Sequence, residues 1–142
     1  MIDIENRVFT LIYNAVTAEY PNANVVGNLV ERASVFPTVT VQEYDNTPHL
    51  RSLDDTNEEH NANLYYEVNV YSNKPRSQNK AEAKRIMNIV DGVLRNLKMT
   101  RRLVTRVPDV DRTIYRIYAR YHVIVSEAEQ VGNDVVHYMH RS

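Results

Sequence analysis

Asn63-Leu-Tyr-Tyr-Glu-Val-Asn-Val-Tyr-Ser72, then Asn73-Lys-Pro-Arg-Ser-Gln-Asn79, then Lys80-Ala-Glu-Ala-Lys-Arg-Ile-Met-Asn-Ile-Val-Asp-Gly-Val-Leu-Arg-Asn-Leu97, is the stretch whose reading decides the fold. Its first part alternates Leu64, Tyr66, Val68 and Val70 against Tyr65, Glu67, Asn69 and Tyr71, the period of a strand. In its last part Ala83, Ile86, Val90, Val93 and Leu97 recur at three- and four-residue steps, which makes one apolar stripe on a helix. Arg101-Arg-Leu-Val-Thr-Arg106 then reads as a further extended segment. Strand, helix and strand in this length predict a crossover unit, right-handed if both strands share a sheet.

Working outward, Asp3 is placed to cap a first helix with Glu5 in its first turn. Ile4, Val8, Leu11, Ile12, Ala15 and Val16 are its expected buried stripe, and Tyr20-Pro21 ends it. Val25 to Ala33 fits either a short strand or a turn of helix over Leu29 to Ala33. Thr38 to Tyr44 is a β-branched strand. Residues 45–62 lack periodicity and read as a long loop, with Leu50 and Leu53 its large apolar groups. Val107-Pro-Asp-Val-Asp111 is a turn joining two strands, the second of them Arg112 to Val125. One parity of that strand carries Tyr115, Ile117, Ala119, Tyr121, Val123 and Val125, the other Ile114, Arg116, Tyr118, Arg120, His122 and Ile124. Residues 126–142 form a polar extension with a turn at Gly132, and Val135 to Met139 fits either a strand or a helical turn. The expectation is a single α+β domain over 1–142: a small mixed sheet of four to five strands with two main helices, in the order α-β-β-α-β-β.

The length of 142 residues suits one domain with a proper core. A formal charge of −1 gives no general reason to expect nucleic acid or an anionic membrane as partner. No apolar run approaches the roughly 20 residues that span a bilayer. With no cysteine there is no disulfide, thiolate nucleophile or cysteine zinc site, and a cytoplasmic origin fits. The three glycines are scattered, so no phosphate-cradling loop is expected, and Gly-x-Ser-x-Gly is absent. His137 and His140 stand three apart, and Asp54, Asp55, Glu58 and Glu59 cluster. Neither group has the further ligands of a zinc or calcium site. No catalytic, metal or cofactor site is therefore expected, and the chain reads as a non-enzyme. Ten tyrosines against two phenylalanines and no tryptophan suit half-buried sheet faces and protein interfaces.

Four phrases resemble the tail terminator, or tail-completion, proteins of long-tailed bacteriophages of the lambda type. They are Phe36-Pro37-Thr-Val-Thr-Val41 with Glu43, Tyr66-Glu-Val-Asn-Val-Tyr-Ser-Asn73, the helix from Ala81 to Leu97 with Val90-Asp91, and Ile114-Tyr-Arg-Ile-Tyr-Ala-Arg-Tyr121. The match spans roughly residues 1 to 125 and is a pattern of phrases rather than an invariant motif. The resemblance implies a homo-oligomeric ring, typically a hexamer, capping the head-proximal end of the tail tube in the virion after assembly in the host cytoplasm. Its partners would be the tail tube protein and the head–tail connector protein. No membrane, cofactor or sequence-specific nucleic acid is implied, although DNA would pass through the ring.

Within that reading, the polar face of Tyr65, Glu67, Tyr71, Arg116, Tyr118, Arg120 and His122 is the expected subunit contact. Cross-strand Glu67–Arg pairs on a solvated face are the alternative. The loop residues Leu50, Arg51, Leu53, Asp54 and Asp55 are the expected partner-docking segment, mobile in the free subunit and ordered on assembly. The runner-up function is an RNA-binding α+β domain whose sheet tyrosines stack on bases. The acidic balance and the lack of a Lys/Arg-Gly-Phe/Tyr strand motif count against it.

Overall fold

The computed structural model describes residues 2–28, 33–48, 61–131 and 134–140, with the backbone alone for 127–131, 134–138 and 140. The chain runs through α1 (Glu5–Glu19), β1 (Asn24–Val26), β2 (Thr38–Pro48), β3 (Asn61–Ser72), α2 (Asn79–Asn96), β4 (Thr100–Val107), β5 (Tyr115–Val131) and β6 (Asp134–His140). It is an α+β domain with a mixed sheet and two helices, as the periodicities predict. Two strands join the expected order. Residues 24–26 are a strand that pairs in parallel with β2, while residues 29–32 of the alternative helical turn lie outside the described residues; residues 134–140 pair antiparallel with β5.

The sheet order is β1-β2-β3-β5-β4, and β6 continues along β5 beyond β4. Both β3 and β4 run antiparallel to β5, so they are parallel to each other with β5 between them. The expected crossover is therefore a split unit, in which α2 carries the chain past β5.

Parity decides the core. Leu64 lies opposite Val123, Tyr66 opposite Tyr121, Val68 opposite Ala119 and Val70 opposite Ile117, and all eight are buried. Ile4, Val8, Ile12 and Val16 from the α1 segment join them in one cluster with Ala83, Ile86, Met87, Val90 and Leu94 of α2. Three stripe assignments change. Leu11 is 38% exposed, and Ala15 and Val93 are only partly buried, while Met87 and Leu94 take core positions. Leu11 and Val93 instead line the shallow groove between the helices with Ala15 and Leu97.

The boundaries shift for local reasons. β2 runs on to Pro48 and β3 begins at Asn61, so eleven-residue β2 occupies the start of the expected 45–62 loop. Residues 49–60, with Leu50, Arg51, Leu53, Asp54 and Asp55, lie outside the described residues. Likewise, Ser126 to Val131 of the expected extension continue β5. At the other end of β5, Asp111 holds residues 112–114 out of the strand: its carboxylate accepts from the Thr113 amide at 2.9 Å and hydroxyl at 2.7 Å, and its carbonyl accepts from the Ile114 amide at 3.1 Å. This is the preference of Asp for turns written in hydrogen bonds.

α2 ends where Lys98 takes φ 63°, a left-handed conformation. The Lys98 amide donates to the Arg95 carbonyl at 2.9 Å, and the Met99 amide donates to the Leu94 carbonyl at 3.0 Å. The paired bonds close a Schellman cap, and buried Met99 packs into the core where the chain reverses into β4. Glycine suits that conformation better than any β-carbon-bearing residue. Lys98→Gly is therefore expected to raise stability by about 1 kcal/mol, read as a higher urea midpoint with unchanged slope. A lower midpoint would mean that the lysine side chain contributes more than its backbone costs.

Candidate interaction face and sheet edges

The second parity of β3 and β5 points away from the helices. Register sets Tyr65 opposite His122, Glu67 opposite Arg120, Asn69 opposite Tyr118 and Tyr71 opposite Arg116. Every expected face residue is thus brought onto one surface. The bulge in β2 between Glu43 and Asp45 adds Tyr44, whose ring centre lies 5.9 Å from that of Tyr65. β4 adds Leu103 opposite Arg120 and Thr105 opposite Tyr118.

At the centre, Arg120 Nε donates to the Tyr118 hydroxyl at 2.6 Å, and that hydroxyl donates to Glu67 Oε2 at 2.8 Å. The anticipated Glu67–Arg contact thus runs through a tyrosine. The Arg120 guanidinium also stands 5.5 Å from the Tyr44 ring centre and 5.3 Å from that of Tyr118, within cation–π range. Burial raises the Tyr118 phenol, so it stays a neutral relay between the two charges.

Toward the β4 side, the His122 ring stacks on Tyr65 with centroids 4.5 Å apart and planes 17° apart. His122 Nδ1 lies 3.2 Å from Arg102 Nη2, and Nε2 lies 2.9 Å from Asn63 Oδ1. A guanidinium can only donate, so Nδ1 accepts and Nε2 carries the proton given to Asn63. That pair of contacts selects one neutral tautomer.

The far end of the face is closed. Thr38, Thr40, Asn69 and Tyr71 are buried. Arg116 Nε donates to Asn69 Oδ1 at 2.9 Å, and its guanidinium lies 5.3 Å from the Tyr71 ring centre. Asn69 Nδ2 and the Tyr71 hydroxyl are buried and have no hydrogen-bond partner among the described residues. Burial raises the Tyr71 phenol, which Arg116 only partly offsets. Of the seven expected contact residues, then, Tyr71 and His122 are buried inside the subunit and Arg120 is exposed; the other four are half-buried. The accessible part of the face is Arg120 with Tyr44 and Leu103, which are 40% and 42% exposed. Sequence reading missed both, because Tyr44 reaches the face only through a bulge and Leu103 only through the pairing of β4. The side chains of His137 and His140 lie outside those described.

The two sides of the sheet differ in charge. On one side β4 pairs with β5 and, among the described residues, with nothing else, and Arg101 to Arg106 are all exposed. Arg101 lies 3.4 Å and Arg95 3.9 Å from the Asp91 carboxylate, which also accepts from the Tyr121 hydroxyl at 2.7 Å. On the other side, β1 covers only Thr38 to Thr40 of β2. Beyond it the segment Ile2–Glu5 lies beside β2. Glu5 Oε2 accepts from the Glu43 amide at 2.8 Å, and Asn46 Nδ2 donates to the Ile2 carbonyl at 2.8 Å. Asp3 Oδ1 accepts from the Glu5 amide at 3.0 Å, but the N-cap position of α1 falls on Ile4, one residue after the expected Asp3. Asp3, Glu5 and Glu43 are thereby gathered on one border, and Asp45 follows along the same edge strand past the bulge. Burial pushes the Glu43 carboxyl up, the Tyr66 hydroxyl pulls it back, and the Asp3 and Glu5 charges raise it further.

No protein-family model matches the chain, and no curated protein matches it.

Two variants follow from these environments. Tyr71→Phe removes a buried oxygen that has no partner among the described residues and should leave stability unchanged or raise it by up to about 1 kcal/mol; a loss larger than that in urea unfolding would show that the hydroxyl is satisfied. A carboxyl raised on folding binds its proton more tightly in the native state, so stability falls as pH rises from its unfolded value through its folded one. Glu43→Gln keeps an acceptor for Tyr66 and should be more stable than the parent at pH 7, with the difference fading below about pH 4. A pH-independent difference would contradict the crowding of charge at this border.

Proposed function

We propose that this protein is a ring-forming structural subunit of the phage tail-terminator type, acting through surfaces rather than by catalysis. The observation that carries this reading is the organised outer face of the sheet. Arg120 is held between Tyr44 and Tyr118 and tied through Tyr118 to Glu67, with exposed Leu103 in register beside it. Tyr and Arg are enriched where proteins meet, and side chains already locked in place lose little entropy on contact. In this reading the face is the subunit contact of a homo-oligomeric ring, typically hexameric. The ring ends the tail tube at its head-proximal end and meets the tail tube protein below and the connector protein above. The four sequence phrases resembling tail terminators support the same assignment, and three of them fall on β2, β3 and β5, the strands that build the face.

A nucleic-acid platform fits the face less well. Base stacking needs open aromatic faces, whereas Tyr65 is stacked on His122 and Arg120 lies over both Tyr44 and Tyr118. A salt-dependent gel shift with single-stranded RNA at micromolar protein would favour that alternative.

The test is the double variant Arg120→Glu with Tyr118→Ser. It should raise the concentration needed for half-assembly at least about tenfold, the scale of a hot-spot loss, while keeping the circular dichroism spectrum and cooperative melting. Normal assembly of the variant would remove this face from the contact. Unfolding would mean that the Arg120–Tyr118–Glu67 relay holds the subunit itself together.

A further inference from the structure

The ring reading leaves open which surface of the neighbour receives the Arg120 side of the face, and the charge on the two sheet borders supplies an answer. On the β4 border Arg101, Arg102 and Arg106 are exposed, together with Leu103 and Val104, each 42% exposed. An exposed edge strand carrying apolar side chains is a surface that proteins cover or use. On the opposite border Asp3, Glu5 and Glu43 gather where the Ile2–Glu5 segment lies along β2, and exposed Asp45 follows on the same edge strand past the bulge. Among the described residues no lysine or arginine is ion-paired with any of these four, and Arg7 is the cation of the same helix end. Tyr44, exposed on the face, is next to Asp45 at that border.

We propose that successive copies of this chain associate head to tail, the basic β4 border of one docking on the acidic Ile2–Glu5 and β2 border of the next. The proposal rests on the ring reading and specifies its contact. Two different patches on opposite sides of one sheet make a heterologous interface, the kind that repeats around a closed ring rather than stopping at a dimer. Complementary charge steers the encounter and sets the direction of the repeat, because basic-to-basic and acidic-to-acidic contacts repel. Leu103, in register with Arg120 on the outer face, and Val104, in register with buried Ala119 on the helix side, supply apolar area along the basic border.

The test uses two charge-swapped full-length chains, Asp3→Lys with Asp45→Lys, and Arg102→Glu with Arg106→Glu, followed by sedimentation velocity. Each alone meets itself with like charges on both borders, and its half-assembly concentration should rise at least about tenfold over the parent. Mixed in equal amounts, they present complementary borders at every contact of an alternating ring, and parent-like assembly should return. Assembly of either variant alone at the parental concentration, or no recovery on mixing, overturns this border-to-border contact while leaving the ring reading in place. A parent chain that stays monomeric throughout overturns the ring reading itself, and this contact with it. Should a swapped chain lose cooperative unfolding, the neutral variants Asp3→Asn with Asp45→Asn and Arg102→Gln with Arg106→Gln take its place. Their assembly should be weaker and less salt-sensitive than the parent's, and a salt response equal to the parent's overturns the proposal.

Discussion

The pairing of β3 with β5 is the constraint on which everything else depends. Their register runs unbroken from Asn61 opposite Ser126 to Ser72 opposite Tyr115. Because side chains alternate across a strand, a slip of one residue would exchange the two faces completely. It would bring Glu67 and Arg120 under the helices and drive Val68 and Ala119 into solvent. The register is held from both sides at once: the apolar parity is buried by α1 and α2, and the polar parity is tied by the Tyr65–His122 stack and the Glu67–Tyr118–Arg120 relay.

Tyrosine makes this arrangement possible. Tyr66 and Tyr121 face each other in the core, fully buried, yet each hydroxyl donates to a carboxylate at the margin of the core, Glu43 at 3.2 Å and Asp91 at 2.7 Å. Burial raises both phenols far above their ordinary value, so they remain neutral donors. Phenylalanine would fill the same space but would take one donor from each of those carboxylates. On the outer face the rings of Tyr44, Tyr65 and Tyr118 are covered by neighbouring Arg120 and His122, and the Tyr118 hydroxyl bonds Arg120 and Glu67. The high tyrosine content thus serves both the core and the surface.

The periodicity of residues 64–72, 80–97 and 114–125 was enough to locate the two principal strands, the second helix and the division of side chains between the faces. That division follows from the strand period alone, which is why the whole polar set was legible as one surface. What periodicity does not carry is pairing. Nothing in Val25 or in Val135 to Met139 shows that each has a strand edge to join, since a short apolar run becomes a strand only when a partner offers hydrogen bonds. Bulges are equally silent: Tyr44 and Arg102 reach the outer face because β2 and β4 each carry an irregularity there. Burial at the far end escaped for a similar reason, because Tyr71 and Asn69 lie in the same parity as exposed Arg120 and differ only in what covers them. The helix stripe misplaced Leu11, Ala15 and Val93 because the two helices approach each other over a groove rather than along their full apolar arcs.

Self-association into a ring is what the proposed role requires, and the mass of the particle in solution tests it most directly. Native mass spectrometry of the unmodified chain, of 16.5 kDa, over a range of concentrations should show one dominant closed species, with a mass close to six chains and no ladder of intermediates. A single-chain mass at every concentration would contradict it.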